Sequence, residues 1–279
     1  MQADHTNTEK AAAAFSAQSV YFDELYSANE IIRYKRERVR NHLLKYLKPQ
    51  SQILELNAGT GEDAIFLARL GHHVHATDIA AGMQEKLIQK VKNAALEGTI
   101  SAECCSFDAL DTLHSKGPYD CLFSNFAGLN CTGDLRQVLQ SFEGLLKPDG
   151  IVVLVILPKF CLWESLLVFR GRFKTAFRRF FSDQGRSAKI DRTHFTCWYY
   201  NPRFIRHILK DKFSVLELEG LCTVVPPSYI ELFPAKYPVV YGWLCKIEAR
   251  LKNKWPWKTI GDYYILSFRK RKKRDSKIS

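Results

Sequence analysis

Short apolar segments alternate regularly with helical segments between residues 52 and 157, and this alternation limits the possible folds more than any other feature of the sequence. Five strands are predicted, at 52–56, 73–78, 100–106, 119–125 and 151–157. Three helices are predicted between them, at 61–70, 81–96 and 135–146. Strands and helices at this spacing form a parallel sheet with helices on both faces. The sequence therefore predicts an α/β fold with a doubly wound sheet.

The segments on either side of this core (residues 49–157) extend the prediction to the whole chain. Residues 1–48 are expected to form an N-terminal helical cover, with a polar, mobile start over 1–20 and an amphipathic helix over 31–47. Strands at 213–218 and 263–268 would complete a mostly parallel sheet of seven strands. The remaining predicted parts are an α-helical, aromatic insertion at 158–212 after the fifth strand, with a short helix at 202–209, then C-terminal strands at 213–268 and a basic tail at 269–279.

Composition indicates a soluble globular protein. Hydrophobic residues make up 46% of the 279, and no apolar run reaches the roughly 20 residues of a membrane span. The start lacks the pattern of a secretory signal, which favours a cytoplasmic location. The eight cysteines show no spacing typical of a metal site, so we expect free thiols in a reducing compartment and no bound metal.

Positive charge is concentrated in two segments. The chain carries a net charge of +12, of which residues 158–212 contribute +9 and residues 269–279 contribute +6, leaving −3 for the rest. This distribution argues against a nucleic-acid-binding protein that is basic throughout, but it allows a local anionic partner. Peripheral contact with an anionic membrane through 159–181 and 269–274 is one such partnership.

The most informative motif is Glu55-Leu56-Asn57-Ala58-Gly59-Thr60-Gly61, in which a strand leads into a Gly-rich turn that opens a helix. Such a turn lets a ligand approach the backbone and the N–H groups of the helix. A nicotinamide dinucleotide would fit the same layout, but Glu55 would repel its pyrophosphate. Glu55 can instead pair with an ammonium group, and Asp78, after the next strand, can accept hydrogen bonds from both hydroxyls of a ribose. A ligand with an ammonium, a ribose and no phosphate is S-adenosylmethionine.

These residues resemble the motifs of the class I, Rossmann-like, S-adenosylmethionine-dependent methyltransferase family. The resemblance covers about residues 50–157 and rests on ELNAGTG, on HHVHATD ending at Asp78, and on LLKPDGIVVLVIL. Asn57 stands where the family usually has the first glycine of the turn. Asparagine tolerates a left-handed backbone better than other non-glycine residues, so we expect the turn to be kept.

The resemblance implies a cofactor, S-adenosylmethionine, and a role for each matching residue. Glu55 and the turn residues Asn57, Ala58, Gly59 and Gly61 would hold the methionine end, and Asp78 the ribose. The adenine would lie among Ile79, Phe107 and Asp108. The sulfonium and the incoming nucleophile would face three residues after the fourth strand, namely Ser124, Asn125 and Phe126.

Outside the matched region the assignments rest on residue chemistry alone. His194 is the histidine best suited to act as a general base, although a structural histidine beside aromatic residues is the alternative. Tyr21, Phe22 and Tyr26 are candidates for a cover over the cofactor or for ordinary core. The arginines near the start of the predicted helix 31–47 are expected to form a solvated face. The segment 159–181 is interpreted as a lid over a hydrophobic substrate, a membrane-surface segment or a packed insertion.

Together these features predict an enzyme that transfers a methyl group to an O, N or C atom of a small, apolar or aromatic acceptor. An RNA or a membrane lipid is the alternative acceptor; against RNA, the fourth strand is followed by Ser124-Asn125-Phe126-Ala127 and not by Asn-Pro-Pro-Tyr. Two other functions stay open, a nicotinamide-dependent oxidoreductase and a cofactor-binding protein without catalysis.

Overall fold

A computed structural model describes residues 2–171, 173, 177–180 and 184–272 of the chain. The helices are α1 (Gln2–Gln18), α2 (Phe22–Ser27), α3 (Glu30–Leu44), α4 (Glu62–Arg69), α5 (Ala81–Asn93), α6 (Leu135–Leu145), α7 (Leu162–Ser165), α8 (Pro202–Leu209), α9 (Phe233–Lys236) and α10 (Pro238–Leu251). The strands are β1 (Gln52–Leu56), β2 (His73–Asp78), β3 (Ile100–Cys104), β4 (Tyr119–Ser124), β5 (Leu146–Ile156), β6 (Arg186–Ile190), β7 (Thr193–Cys197), β8 (Phe213–Leu221) and β9 (Tyr263–Lys270).

Seven of the strands form one sheet in the order β3-β2-β1-β4-β5-β9-β8. The pairs from β3 to β5 are parallel, whereas β9 is antiparallel to both of its neighbours. The predicted α/β fold with a mostly parallel sheet of seven strands is therefore confirmed. The carboxyl ends of β1, β2 and β4 meet at one edge of the sheet, which is where open α/β sheets bind ligands.

The sheet is buried on both faces because its strands alternate apolar side chains between two cores. Along β5, Val152, Leu154 and Ile156 pack in one core with helices α1, α6 and α8. Val153 and Val155 pack in the other core with helices α3, α4 and α5. This arrangement explains why the strands read as continuous apolar runs in the sequence.

The expectation of a mobile start over residues 1–20 is wrong, because residues 2–18 form helix α1. Its sequence is rich in alanine, which has the highest helix propensity, and Ala11 and Ala14 are buried against the sheet core. Asn7 fixes the helix by donating to the carbonyl oxygen of Cys131 at 2.9 Å and accepting from the backbone N–H of Thr196 at 2.6 Å.

The insertion after the fifth strand contains strands as well as helix, which corrects the expectation that it lacks strand periodicity. β6 and β7 pair as an antiparallel hairpin, with Phe195 and Cys197 buried. The proposed lid or membrane segment 159–181 falls partly outside the described residues, as does the tail 269–274.

The second unpredicted region is residues 222–262, which leave β8 and enter β9 at the same edge of the sheet and contain α9 and α10.

No helix in the described part of the chain is long and apolar enough to cross a membrane. All eight cysteines are free thiols, and six of them are buried, as expected.

Candidate cofactor-binding site

A cavity opens at the carboxyl ends of β1, β2 and β4, with an empty volume of about 1010 Å³ that includes its open mouth. Nine of the twelve cofactor residues expected from sequence line it: Glu55, Asn57, Ala58, Gly59, Asp78, Ile79, Phe107, Asn125 and Phe126. We call the polar residues at the strand ends, Glu55, Asn57, Asp78 and Asn125, the cavity floor. We call helices α1, α2 and α3 the cover.

The Gly-rich turn after β1 has the left-handed backbone that its sequence requires. Asn57, Gly59 and Gly61 have φ values of 49°, 56° and 80°. A Cβ atom at Gly61 would lie 2.7 Å from Cγ of Leu87, so this position needs glycine for space as well as for its φ. Gly61 itself does not line the cavity; it lets α4 begin close to α5.

Asn57 also connects the turn to the end of β4. Its Nδ2 donates to the carbonyl oxygen of Asn125 at 2.8 Å, and Ser124 Oγ donates to its Oδ1 at 2.6 Å. Ser124 is fully buried and does not line the cavity, so it acts on the site through Asn57. These bonds give a reason for asparagine at this position that the sequence comparison with glycine does not reveal.

Glu55 is the least satisfied polar group of the floor. Its side chain is 2% exposed and Oε2 has no hydrogen-bond partner. Burial, and then the nearby charge of Asp63, raise the pKa of Glu55 well above its ordinary value, while Arg36 and Arg40 act in the opposite direction. A buried carboxylate oxygen without a partner at the wall of a cavity is suited to a cationic donor from a ligand.

Asp78 is held in place at the end of β2 by backbone groups. Its Oδ2 accepts from the N–H of Gly59 at 2.9 Å, and Oδ1 accepts from the N–H of Ala80 at 2.8 Å. Burial raises the pKa of Asp78, and these backbone hydrogen bonds counteract the effect. Each carboxylate oxygen has a second lone pair, so the oriented group can still accept from a diol.

Beside Asp78, Ile79 and Phe107 form an apolar wall of the cavity. Asp108 does not line the cavity; its Oδ2 accepts from Oγ1 of Thr8 at 3.1 Å, and Thr8 lines the cavity instead. Asp108 therefore fastens the cover at this point.

The turn after β4 is held by a chain of charged and amide groups that sequence reasoning missed. Asn125 Nδ2 donates to Asp63 Oδ2 at 2.7 Å, and Asp63 Oδ1 accepts from Arg40 Nε at 2.7 Å. Asn125 Oδ1 accepts from the N–H of Phe126 at 2.8 Å, and Phe126 has a φ of 44°. This network orients the Phe126 ring toward the cavity.

The cover contributes residues from all three N-terminal helices. Phe22 and Tyr26 on α2 stack at 4.1 Å between ring centroids and line the cavity, as does Phe15 on α1. Asp23 on α2 accepts hydrogen bonds from Oγ1 of Thr60 in the Gly-rich turn and from Nζ of Lys90 on α5. Tyr21, the third aromatic candidate for the cover, does not line the cavity; its hydroxyl donates to Asp191.

The expectation of a solvated arginine face on α3 holds for Arg33, which is exposed, but is wrong for Arg36, Arg38 and Arg40. The side chain of Arg36 is 14% exposed; the guanidinium lies 5.3 Å from the centroid of the Phe126 ring and lines the cavity. Arg38 pairs with the buried carboxylates of Glu219 and Glu248. The positions of these arginines follow from what packs against α3, which the helix period alone does not show.

His194 lies on the exposed side of β7, where its Nδ1 is 3.2 Å from Oγ of Ser187. It does not line the cavity. The structure therefore does not bring the candidate general base together with the candidate cofactor residues.

Comparisons with known sequences match methyltransferases. Residues 53–150 match the family model described as a methyltransferase domain. Demethylmenaquinone methyltransferase of Clavibacter sepedonicus is 34% identical over 103 residues, 37% of this chain and 40% of that protein. The tRNA 5-carboxymethoxyuridine methyltransferase of Escherichia coli strain K12 is 27% identical over 116 residues, 41% of this chain and 44% of that protein. The chain thus spans less than half the length of either relative.

The fold is shared over nearly the whole chain. The crystal structure of 1,6-didemethyltoxoflavin-N1-methyltransferase of Burkholderia thailandensis, with 1,6-didemethyltoxoflavin and S-adenosylhomocysteine bound, superposes with a TM-score of 0.58 at 14% identity. The superposition covers 97% of this chain and 91% of that chain. The matched methyltransferase domain, the strand order and the Gly-rich turn between β1 and α4 support the resemblance of this chain to the class I, S-adenosylmethionine-dependent methyltransferase family.

Proposed function

We propose that this chain binds S-adenosylmethionine in the cavity and transfers its methyl group to a small, largely apolar or aromatic acceptor. The observation that carries the proposal is the buried Glu55 carboxylate, whose Oε2 has no partner in a cavity that the Gly-rich turn borders. An ammonium group from the methionine end of the cofactor would supply the missing donor, and removal from water strengthens such a pair.

The charges that line the cavity support a cationic ligand. Glu55, Glu62, Asp63 and Asp78 line it together with a single basic side chain, Arg36. Such an acidic site favours a sulfonium and an ammonium and disfavours the doubly negative pyrophosphate of a nicotinamide dinucleotide. This is the main reason to prefer the methyl donor over the oxidoreductase alternative.

The polar residues of the floor are suited to three parts of the cofactor. Glu55 and the backbone of the Asn57–Gly61 turn would hold the amino-acid end, where Arg36 is available for the carboxylate. Asp78 would accept from the ribose hydroxyls, and Ile79 with Phe107 would contact the adenine. The family's cofactor supplies an electrophilic methyl group on a sulfonium.

The contribution of the protein to the reaction is mainly positional. Asn125 and Phe126, held by Asp63 and Asn57, would fix the direction from which an acceptor reaches the floor. Holding two reactants in a near-attack geometry can lower a barrier by about 7–11 kcal/mol. Phe22 and Tyr26 on the cover would exclude water from this region.

The acceptor class is inferred from the aromatic residues that line the cavity. Five aromatic rings line it, belonging to Phe15, Phe22, Tyr26, Phe107 and Phe126. Aromatic walls with few polar groups suit an apolar or planar molecule. The quinone named for one relative fits this description, and the tRNA named for the other keeps RNA as the second candidate acceptor.

Calorimetric titration of the full chain tests the cofactor assignment. We expect S-adenosylmethionine and S-adenosylhomocysteine to bind with one site per chain, and NADH to give no binding heat. Binding of NADH without binding of S-adenosylhomocysteine would overturn the proposal. Transfer of label from methyl-labelled cofactor to a panel of quinones, phenols and RNA would then distinguish the acceptor classes.

A further inference from the structure

Helix α10 has an exposed face whose composition differs from that of the rest of the cover. Tyr241 and Glu248 are buried, and Leu244 with Cys245 packs against the start of α3. On the opposite face, Val239 is 84% exposed and Trp243 is 62% exposed. Lys246 and Arg250 continue the same stripe at helical spacing and are also exposed. The helix therefore presents two apolar turns followed by two basic turns.

The segment around α10 is strongly basic on its outside. Residues 229–258 expose Lys236, Lys246, Arg250 and Lys254 but only one acid, Glu231, because Glu248 is internal. Among the described residues, none of these four basic side chains takes part in an ion pair closer than 4.0 Å. Trp255, at 80% exposed, adds an amphipathic ring at the far end of the helix.

The segment that carries α10 begins and ends at the edge of the sheet where the cavity opens. Residues 222–262 leave and re-enter the sheet at Leu221 and Tyr263, which are paired neighbours at the carboxyl edge. Asn29 at the start of α3 donates to the carbonyl oxygen of Ser228 at 2.9 Å, and Arg36, two turns later, lines the cavity. Helix α3 therefore contacts this segment near its start and borders the cavity further along.

We propose that the outer face of α10, made by Val239, Trp243, Lys246 and Arg250, docks on a bilayer surface that contains anionic lipids. Apolar side chains with tryptophan on one part of a helix and basic residues beside them are what an interfacial helix needs. A second copy of this chain is a poorer occupant, because two faces with the same excess of positive charge repel each other.

The benefit of such docking rests on the proposed function, since an apolar acceptor would reside in the lipid. Its test does not depend on catalysis. The contact differs from the one predicted from sequence, which involved segments 159–181 and 269–274.

Co-sedimentation of the full chain with vesicles tests the proposal. We expect binding to vesicles of equal parts phosphatidylcholine and phosphatidylglycerol, weaker binding at high salt, and little binding to pure phosphatidylcholine. Lys246→Glu with Arg250→Glu should lower the partition coefficient by at least roughly thirtyfold, since each basic residue lost near such a surface contributes about 1 kcal/mol and each added carboxylate is repelled. Val239→Ser with Trp243→Ser should lower it about tenfold.

Matched controls lie on α5, where Ile88→Ser tests an exposed apolar side chain and Lys86→Glu with Lys92→Glu tests charge. These variants should sediment as the wild type does. S-adenosylhomocysteine affinity and thermal unfolding, measured on every variant, should be unchanged, so that loss of docking is separated from loss of the cofactor site. The proposal is overturned if the wild type ignores anionic vesicles, if the α5 variants lose binding equally, or if the α10 variants abolish only dimer formation or RNA binding.

Discussion

The floor and the cover of the cavity are built in different ways. On the floor, each polar side chain except Glu55 is fixed by hydrogen bonds to backbone or to buried partners, as Asp78 is by Gly59 and Ala80. In the cover, α1 and α3 pack into the two cores, but α2 has no buried residue of its own. Helix α2 is attached by polar contacts, such as the one between Asp23 and Lys90.

This difference separates two tasks. A rigid floor suits the recognition of one cofactor, because positions fixed before binding reduce the cost of ordering. A lightly attached α2 suits the admission and exchange of reactants. The following predictions test whether the functions of the two regions divide in this way, beginning with the largest expected effect.

The first prediction concerns the stability of the floor. Asn57→Val should lower the free energy of unfolding by about 2–4 kcal/mol, because a β-branched residue resists positive φ and two hydrogen bonds are lost. Asn57→Gly accepts the φ but still loses both bonds, so we expect a cost of about 1–2 kcal/mol. Chemical denaturation measures both. Equal stability of the glycine variant and the wild type would show that the bonds to Ser124 and Asn125 contribute nothing.

The second prediction concerns ribose recognition. Asp78→Ala should weaken S-adenosylhomocysteine binding roughly tenfold to a hundredfold, because charged hydrogen bonds are worth about 1.5–3 kcal/mol. Asp120→Ala is the matched control, since Asp120 lies at the opposite edge of the sheet and bonds to Gln52 and Lys147. A folded Asp78→Ala protein with wild-type affinity would remove this residue from the site.

The third prediction links cofactor affinity to stability through Glu55. The folded-state pKa of Glu55 is raised, so its ionisation destabilises the free protein as pH rises above about 4.3, the ordinary value of the unfolded chain. Glu55→Gln should therefore be at least as stable as the wild type at neutral pH, with the difference disappearing in acid. It should also weaken S-adenosylhomocysteine binding about tenfold.

Calorimetry in buffers of different ionisation enthalpy provides a second measurement for Glu55. Binding of the ammonium should favour the carboxylate and release a proton from the wild type over the pH range in which Glu55 titrates, but not from the Gln variant. A Gln variant that is less stable at neutral pH and binds normally would contradict both the unpaired state of Glu55 and its role.

The floor could be predicted from sequence far better than the cover, for physical reasons. The bounds of β1 and β2 match the predicted strands, because buried parallel strands and a Gly-rich turn leave a strong local signal. Asp63 and Arg40 were missed because their roles depend on residues distant in sequence, such as Asn125. Local patterns do not carry that information.

The hairpin of β6 and β7, helix α10 and helix α1 were not predicted, although their sequences contain weak or partly conflicting signals for these structures. In the hairpin of β6 and β7, Ala188, Ile190, Phe195 and Cys197 alternate with polar residues, but the basic and aromatic composition obscured the period of two. In α10, Pro238 at the first position, buried residues at 241 and 248 and the half-buried Cys245 fit a helix. Helix α1 has the alanine-rich composition of a helix but almost no hydrophobic periodicity, so the face that it buries could not be inferred from the sequence.

The last prediction concerns Arg36, which belongs to the cover but faces the floor. The carboxylate of Glu62 lies 3.7 Å from the Arg36 guanidinium, which therefore has donors available for the carboxylate of the cofactor's amino acid. Arg36→Ala should weaken S-adenosylhomocysteine binding about fivefold, since a partly exposed ion pair contributes about 1 kcal/mol. The same variant should bind 5′-methylthioadenosine, which lacks the amino-acid end, as tightly as the wild type. Arg33→Ala is the matched control, because Arg33 is an exposed arginine of the same helix that does not line the cavity. Equal weakening for both ligands would mean that Arg36 acts by holding the cover closed, whereas selective weakening assigns it to the carboxylate and makes α3 a part of the cofactor site.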